Sequence, residues 1–210
     1  MGAMLEKLGF KSGCIYEVII TTLNEDGTFN AAPMGVAIID PETLTVKPYT
    51  DTKTYRNLAR EKQAVVNIVD DVLLFYITAI EKEKVKMLPF RRGKVVSAPA
   101  LSQAKAYIEC TVKGKPVTYN GRARILLRAV NYTVLDPCTK PICRAPSLIL
   151  EAIIHLTRIS PLITAGKFDQ ALKLLKLIEL YRDTIKRICG DSTYNKLINE
   201  IYKKAKQQCP

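Results

Sequence analysis

The chain has a single histidine, His155, and no glycine-rich nucleotide loop, and each absence removes a class of chemistry. His155 lies inside an apolar helical pattern with no serine or cysteine nucleophile motif to serve, so no catalytic triad can be assembled and a structural role is the simpler reading. Neither GxxxxGK[ST] nor GxGxxG occurs, which excludes the P-loop and the dinucleotide-binding fingerprint. No apolar run approaches the roughly 20 residues of a membrane-spanning helix. The start MGAMLEKLGFKSG lacks the apolar core of a signal peptide. Together these point to a cytoplasmic protein with no membrane partner.

What is present is globular composition: 210 residues, 48% apolar and 25% charged, enough for one large or two small domains. A net charge of +12 attracts polyanions. The basic residues are spread along the chain among acidic ones, with no arginine-rich arm or aromatic nucleic-acid motif. Charge therefore favours phosphate-bearing ligands in general without selecting RNA, and nucleic acid is the less favoured partner. Six cysteines, Cys14, Cys110, Cys138, Cys143, Cys189 and Cys209, are scattered in a chain large enough to fold without disulfide staples. The closest pair, CTKPIC, has neither zinc-knuckle nor redox spacing, so the expectation is that the chain holds no metal.

The first two thirds of the chain carry β grammar. YEVIITTL and FNAAPMGVAII flank the turn NEDGT as a hairpin, and TLTVKPY follows as a short strand after Pro41. TYRNLAREK fits one or two helical turns and AVVNIV a strand. DVLLFYITAI supplies a further apolar run in the same β-rich stretch. Residues 81–105 mix charges, Pro89, Gly93 and Pro99 and read as a long connection with a helical turn at its end. AYIECTVKGKPVTYNGRARILLRAVNYTVL gives two more strands, and a β-barrel is the simplest closure of six or seven. Beyond Asp136-Pro137 three amphipathic helices follow: one stopping near Ser160-Pro161, one between Gly166 and Gly190, and one capped by Asp191 or Ser192. The expected class is α+β, a mainly antiparallel split β-barrel over residues 1–138 with a C-terminal α-helical subdomain over residues 139–210.

Two stretches of the barrel raise a question of function. TDTKTYRNL crowds Thr50, Thr52, Lys53 and Thr54 just before a helix. They either cap that helix over a solvated surface or surround an anion with hydroxyls, an ammonium and free helix N–H groups. Pro33 and Gly35 in FNAAPMGVAII are poor residues for an interior strand, so they mark an edge, a bulge or corner, or a backbone approached by a ligand. Arg144, where strand grammar gives way to helix, is either a helix-terminal arginine or a cation reaching into a site.

YEVIITT, NAAPMGV, TKTYRNL with AVVNI behind it, and RAPSLILEAIIHLTR together resemble the FMN-binding split-barrel superfamily of flavin reductase-like and pyridoxamine-phosphate-oxidase-like proteins. Within it the chain is most similar to an uncharacterised, mainly archaeal family with a helical C-terminal extension. The resemblance implies FMN in a groove at a homodimer interface. Thr50, Thr52, Lys53 and Thr54 would lie at its phosphate, Asn57 would be a polar or helix-packing contact, and Ala32, Pro33, Met34 and Gly35 would lie under its ring. Arg144 becomes a candidate for the flavin or substrate pocket. The family's extension has an asparagine before the matching arginine, where this chain has Cys143. The implied activity is an FMN-dependent oxidoreductase using NADH or NADPH. A non-catalytic flavin-binding or storage protein is the alternative, and a nucleic-acid-binding protein driven by positive charge is a third reading.

Overall fold

In the computed structural model, which describes residues 4–209, the β-rich part of the chain closes into a barrel. The first three residues of MGAMLEKLGFKSG and the last residue of the chain lie outside the described residues. Two compact units are present: one comprises the chain up to Ser12 with Tyr16–Ile142, the other Gly13–Ile15 with the chain from Cys143 onward.

The first unit contains, in order, α1 (Met4–Lys7), β1 (Tyr16–Leu23), β2 (Phe29–Asp40), β3 (Thr43–Val46), α2 (Lys53–Glu61), β4 (Gln63–Ile68) and α3 (Val72–Ala79). A 3-10 turn (Lys82–Met87), β5 (Phe90–Arg91), β6 (Ala100–Leu101), β7 (Ala106–Tyr119) and β8 (Arg122–Val134) complete it. The barrel runs β1-β2-β3-β8-β7-β4, antiparallel throughout. Register puts Ile20 opposite Val66 and Val66 opposite Ile108, and puts Val36, Val46 and Ile125 in a second row, so these buried side chains share the inward face. Residues of the opposite parity are buried as well. Ile19 packs under Leu74, Val85 and Leu101, while Val65 and Tyr107 pack under Val96, Ala98 and Ala100. Covering both faces explains why β1 and β4 are buried along nearly their whole length without clean alternation.

Strand β2 is where the barrel is split. It pairs with β1 along Phe29–Val36 but meets β3 only from Val36 onward, so Phe29–Gly35 has one edge with no strand partner. Pro33, opposite Ile19, sits in this stretch, where a residue without an N–H disrupts no second ladder. The irregularity between β2 and β3 falls at Ile38 and Asp40 instead, which removes a bulge at Pro33 as the explanation.

Two sequence expectations are corrected in this unit. DVLLFYITAI is the helix α3, because the Asp71 carboxylate accepts from the Leu73 N–H at 2.8 Å and caps it. The helix buries Leu74 and Thr78 yet exposes Val72, Leu73, Tyr76 and, at its C-cap, Ile80. With apolar residues on every side it carries no helical periodicity to read. Residues 81–105 have their helical turn at the start and a small β5-β6 pair, Phe90 opposite Leu101, near the end. Asn67 in β4 anchors this segment by accepting from the Leu101 N–H at 2.8 Å while donating to the Ile19 carbonyl at 2.9 Å.

The second unit packs α4 (Ala145–Thr164), α5 (Phe168–Ile188) and α6 (Thr193–Gln208) around Ile149, Ile159, Ile178, Ile185 and Ile201. Ser192 caps α6, accepting from the Asn195 N–H at 3.4 Å. α4 does not stop at Ser160-Pro161: it runs through Pro161, and the turn beyond closes by Ala165 N–H to the Pro161 carbonyl at 3.1 Å. This helix is also, by length and composition, the one described helix that would suffice to cross a membrane, with mean hydropathy 1.3 and 17% of that window buried. The expectation of no apolar stretch of that length is corrected to this extent, although Glu151 and Arg158 interrupt it. His155 stacks on Tyr181, with Nε2 at 3.3 Å from the tyrosine hydroxyl.

Candidate functional site

The α2 end of the barrel is built from short polar side chains. Thr52 is the N-cap, with extended backbone, and its hydroxyl oxygen accepts from the Tyr55 N–H at 3.3 Å while donating to the Tyr49 carbonyl at 2.7 Å. Thr50 donates both its N–H, at 3.0 Å, and its hydroxyl, at 3.2 Å, to the Gly121 carbonyl in the β7-β8 turn. The first N–H groups of a helix have no intrahelical acceptor. The cap uses that of Tyr55 and not those of Lys53 and Thr54. Lys53 is exposed, and its ammonium lies close enough to the β1-β2 turn to act on Asp26. That carboxyl is held below its ordinary range first by hydrogen bonds from Thr28 and then by Lys53.

Thr54 and Asn57 point the other way, into the protein. The Thr54 hydroxyl accepts from Asn30 of β2 at 3.0 Å, and the Asn57 amide donates to Thr22 at 3.0 Å and to Asn24 at 2.8 Å. Asn30 also donates to Thr22 at 3.2 Å, so a buried amide-hydroxyl network fastens α2 to β1 and β2. Its consequence is placement: the open edge of β2, with Ala32, Pro33, Met34 and Gly35, continues directly from the residue that holds the N-terminal turn of α2. Thr50, Thr52, Lys53, Thr54 and Asn57 are therefore gathered at one helix end, and Ala32–Gly35 lie on the strand bonded to it. Arg144 belongs to the second unit, as the N-cap residue of α4.

Three contributors are not signalled by the local sequence. Arg60, which reads as surface, donates to the Leu23 carbonyl at 2.9 Å and ties the end of β1 to α2. Arg122 lies 4.1 Å over the Tyr49 ring, adding a cation beside Thr50. Asn30 reads as an ordinary strand residue until its register opposite Thr22 is known. A surface hollow of about 480 Å³ lined by Asp40, Glu42, Thr43, Lys113 and Arg128 contains none of the candidate residues, and its charges pair off as Lys113–Asp40 at 3.8 Å and Arg128–Glu42 at 3.7 Å.

A chain of this fold has known counterparts. Residues 16–134 match the family model described as the N-terminal domain of a protein of unknown function, DUF447. An FMN-bound protein of that family from Methanosarcina mazei has a solved structure 25% identical to this chain, covering 95% of this chain and 99% of its own, with a TM-score of 0.55. Nitrilotriacetate monooxygenase component B from Bacillus cereus is 21% identical over 61% of this chain and 74% of its own, TM-score 0.51. A flavin reductase complexed with NADP+ is 17% identical over 61% of this chain and 90% of its own, TM-score 0.50. The barrel thus has a flavin reductase-like fold, shared with both of these proteins.

Proposed function

Since the chain belongs to the DUF447 family, and its barrel to the flavin reductase-like fold, we propose that it binds FMN and acts as an oxidoreductase with NADH or NADPH as electron donor. The observation that carries this reading is the Asn30 to Thr54 hydrogen bond of 3.0 Å, which joins the capped start of α2 to the open edge of β2. An anionic phosphate and a flat ring joined by a short linker need that combination: a helix N-terminus with an ammonium, beside an extended backbone edge bearing small or unhindered residues. The Lys53 ammonium and the N–H groups of Lys53 and Thr54 hold the phosphate. Thr50 and Thr52 now donate to carbonyls, and their hydroxyls turn to join them. Ala32, Pro33, Met34 and Gly35 offer the ring backbone carbonyls, N–H groups and an apolar platform. Asn57 keeps the helix in place. Bound FMN would supply the electron transfer itself, while the protein binds, orients and excludes water. The similarity to an FMN-bound family member and to a flavin reductase complexed with NADP+ supports the choice of both ligands.

The site would be completed by a second copy of the chain. Val72, Leu73, Tyr76, Ile80 and Met87 are all exposed on α3, its C-cap and the following turn, an apolar surface suited to a homodimer interface. A non-catalytic FMN-binding or storage role is the second reading, favoured by one observation: no carboxylate, histidine or thiol stands among the candidate residues. Two titrations separate the readings. FMN fluorescence should be quenched to a stoichiometric end point by the wild-type chain and only at much higher protein concentration by Lys53→Ala, and an unquenched signal removes flavin binding. Anaerobic NADH or NADPH should then bleach the bound flavin, and failure of both leaves the storage reading.

A further inference from the structure

We propose that Cys14, Cys143 and Cys189 form a thiolate site for a soft divalent cation of the zinc class. They are 175 and 46 residues apart in sequence, yet all three belong to the second unit, and their sulfurs lie within 4.8 Å of one another. Cys14 and Cys189 approach to 2.7 Å, and Cys143 and Cys189 to 3.6 Å. Three thiolates bound to zinc at 2.3 Å with tetrahedral angles stand about 3.8 Å apart, so a shift of about 1 Å of one sulfur turns the cluster into a ligand set. A disulfide would bond only Cys14 to Cys189 and leave Cys143 idle beside them, whereas a cation uses all three. The backbone that presents them is fixed. The Ile15 N–H donates to the Ile188 carbonyl at 2.8 Å and clamps the segment carrying Cys14 to the end of α5. The Cys189 N–H closes that helix on Ile185, and Asn195 donates to the Gly190 carbonyl at 2.8 Å.

Chemistry favours a cation here. Cys14 and Cys189 are buried and Cys143 is half-buried, a setting that penalises uncompensated thiolates. A divalent ion removes that penalty by neutralising two of the three negative charges. Cys143 lies just before the first turn of α4, whose N–H groups favour an anionic sulfur. On binding, each S–H bond breaks, a sulfur-metal bond forms, and the proton leaves to solvent, so affinity rises with pH. Three protein ligands leave a fourth position for water or an exogenous ligand. No cysteine spacing in the sequence announces such a site, because its members come from three separate segments.

The test uses the full chain, reduced, stripped with chelator and kept anaerobic. Titration with Co2+ should raise a thiolate-to-cobalt charge-transfer band that saturates at one ion per chain and is abolished by Zn2+. Cys143→Ser and Cys189→Ser should each weaken binding at least tenfold, while Cys138→Ser, at an exposed cysteine outside the cluster, should not. Zn2+ should raise the Tm of wild type and of Cys138→Ser only. Circular dichroism reports whether each variant folds, and if Cys189→Ser does not, the half-buried Cys143→Ser decides alone. Absence of the band, its survival in the folded cluster variants, or a Cys14–Cys189 disulfide in peptides from protein never exposed to oxidant overturns the proposal.

Discussion

Thr52 and Lys53 stand next to each other and do different things. Thr52 closes the helix by itself, so Thr52→Ala should lower stability by about 1 kcal/mol, read as a shift of the urea midpoint. Lys53 makes no contact on which the fold depends, so Lys53→Ala should leave that midpoint unchanged. A charge-assisted bond to phosphate contributes about 1.5–3 kcal/mol, and its loss should raise the FMN Kd about 10- to 150-fold. The sequence left the cap to Thr52 or Thr54, and the structure gives it to Thr52. The inward turn of Thr54 was not legible, because the hydroxyl's partner, Asn30, is on another element. Glu109 is the other buried residue with a story. A lone carboxylate in AYIECTV, it is fully buried, accepts from the Val95 and Val96 N–H groups at 2.6 and 2.9 Å and from Asn131 at 2.7 Å, and thereby holds the 95–96 loop.

Burial pushes the Glu109 carboxyl up, but the two amide bonds and Asn131 outweigh it and leave it below its ordinary range. The sign follows: with a lowered folded-state pKa the unfolded chain binds more protons, so stability is complete above the ordinary value of about 4.3 and is lost as pH falls through the folded value. Urea midpoints of wild type should fall below about pH 4, and Glu109→Gln should flatten that fall. An unchanged slope in the variant would remove Glu109 as its source. Gly93 explains why this loop tolerates no side chain at its turn: an added Cβ would lie 2.6 Å from the Val96 carbonyl oxygen and 2.8 Å from the Glu109 carboxylate. Gly93→Ala should therefore destabilise by more than about 1 kcal/mol in thermal melts, against the few tenths typical of surface substitutions.

Whole elements were legible where one face is buried and the other wet. The helices α5 and α6 carry that contrast in their sequence, whereas the β1-β2 hairpin was read from its β-branched residues and the NEDGT turn. α3 does not, since a helix apolar on all sides looks like a strand, and its identity rests on Asp71 and on packing under Leu74. The same exposed apolar residues carry an interface prediction. Leu73→Asp, on the outer side of α3, should shift the chain from dimer to monomer in light scattering while leaving circular dichroism unchanged. A wild-type chain that is monomeric at micromolar concentration would count against the shared site. For β2 the sequence raised the question, through Pro33 and Gly35, and register answered it: pairing with β3 begins only at Val36, so the strand has a free edge at those residues.

At the scale of the whole molecule, chain order conceals what the fold gathers. The phosphate-like end at residues 50–57 and the strand at 32–35 are separated by β3, and a hydrogen bond between side chains brings them together. Cys14 lies before the barrel and Cys189 after it, and only the second unit unites them. The net charge of +12, which alone favours any polyanion, then has a local meaning at Lys53 and the first turn of α2. The central claim is that this helix end and strand edge form a flavin site. The most direct measurement is the visible absorbance of protein incubated with FMN and passed over a desalting column. Wild type should retain one oxidised flavin per chain and Lys53→Ala should lose it, and a colourless wild-type eluate would contradict a flavin site here.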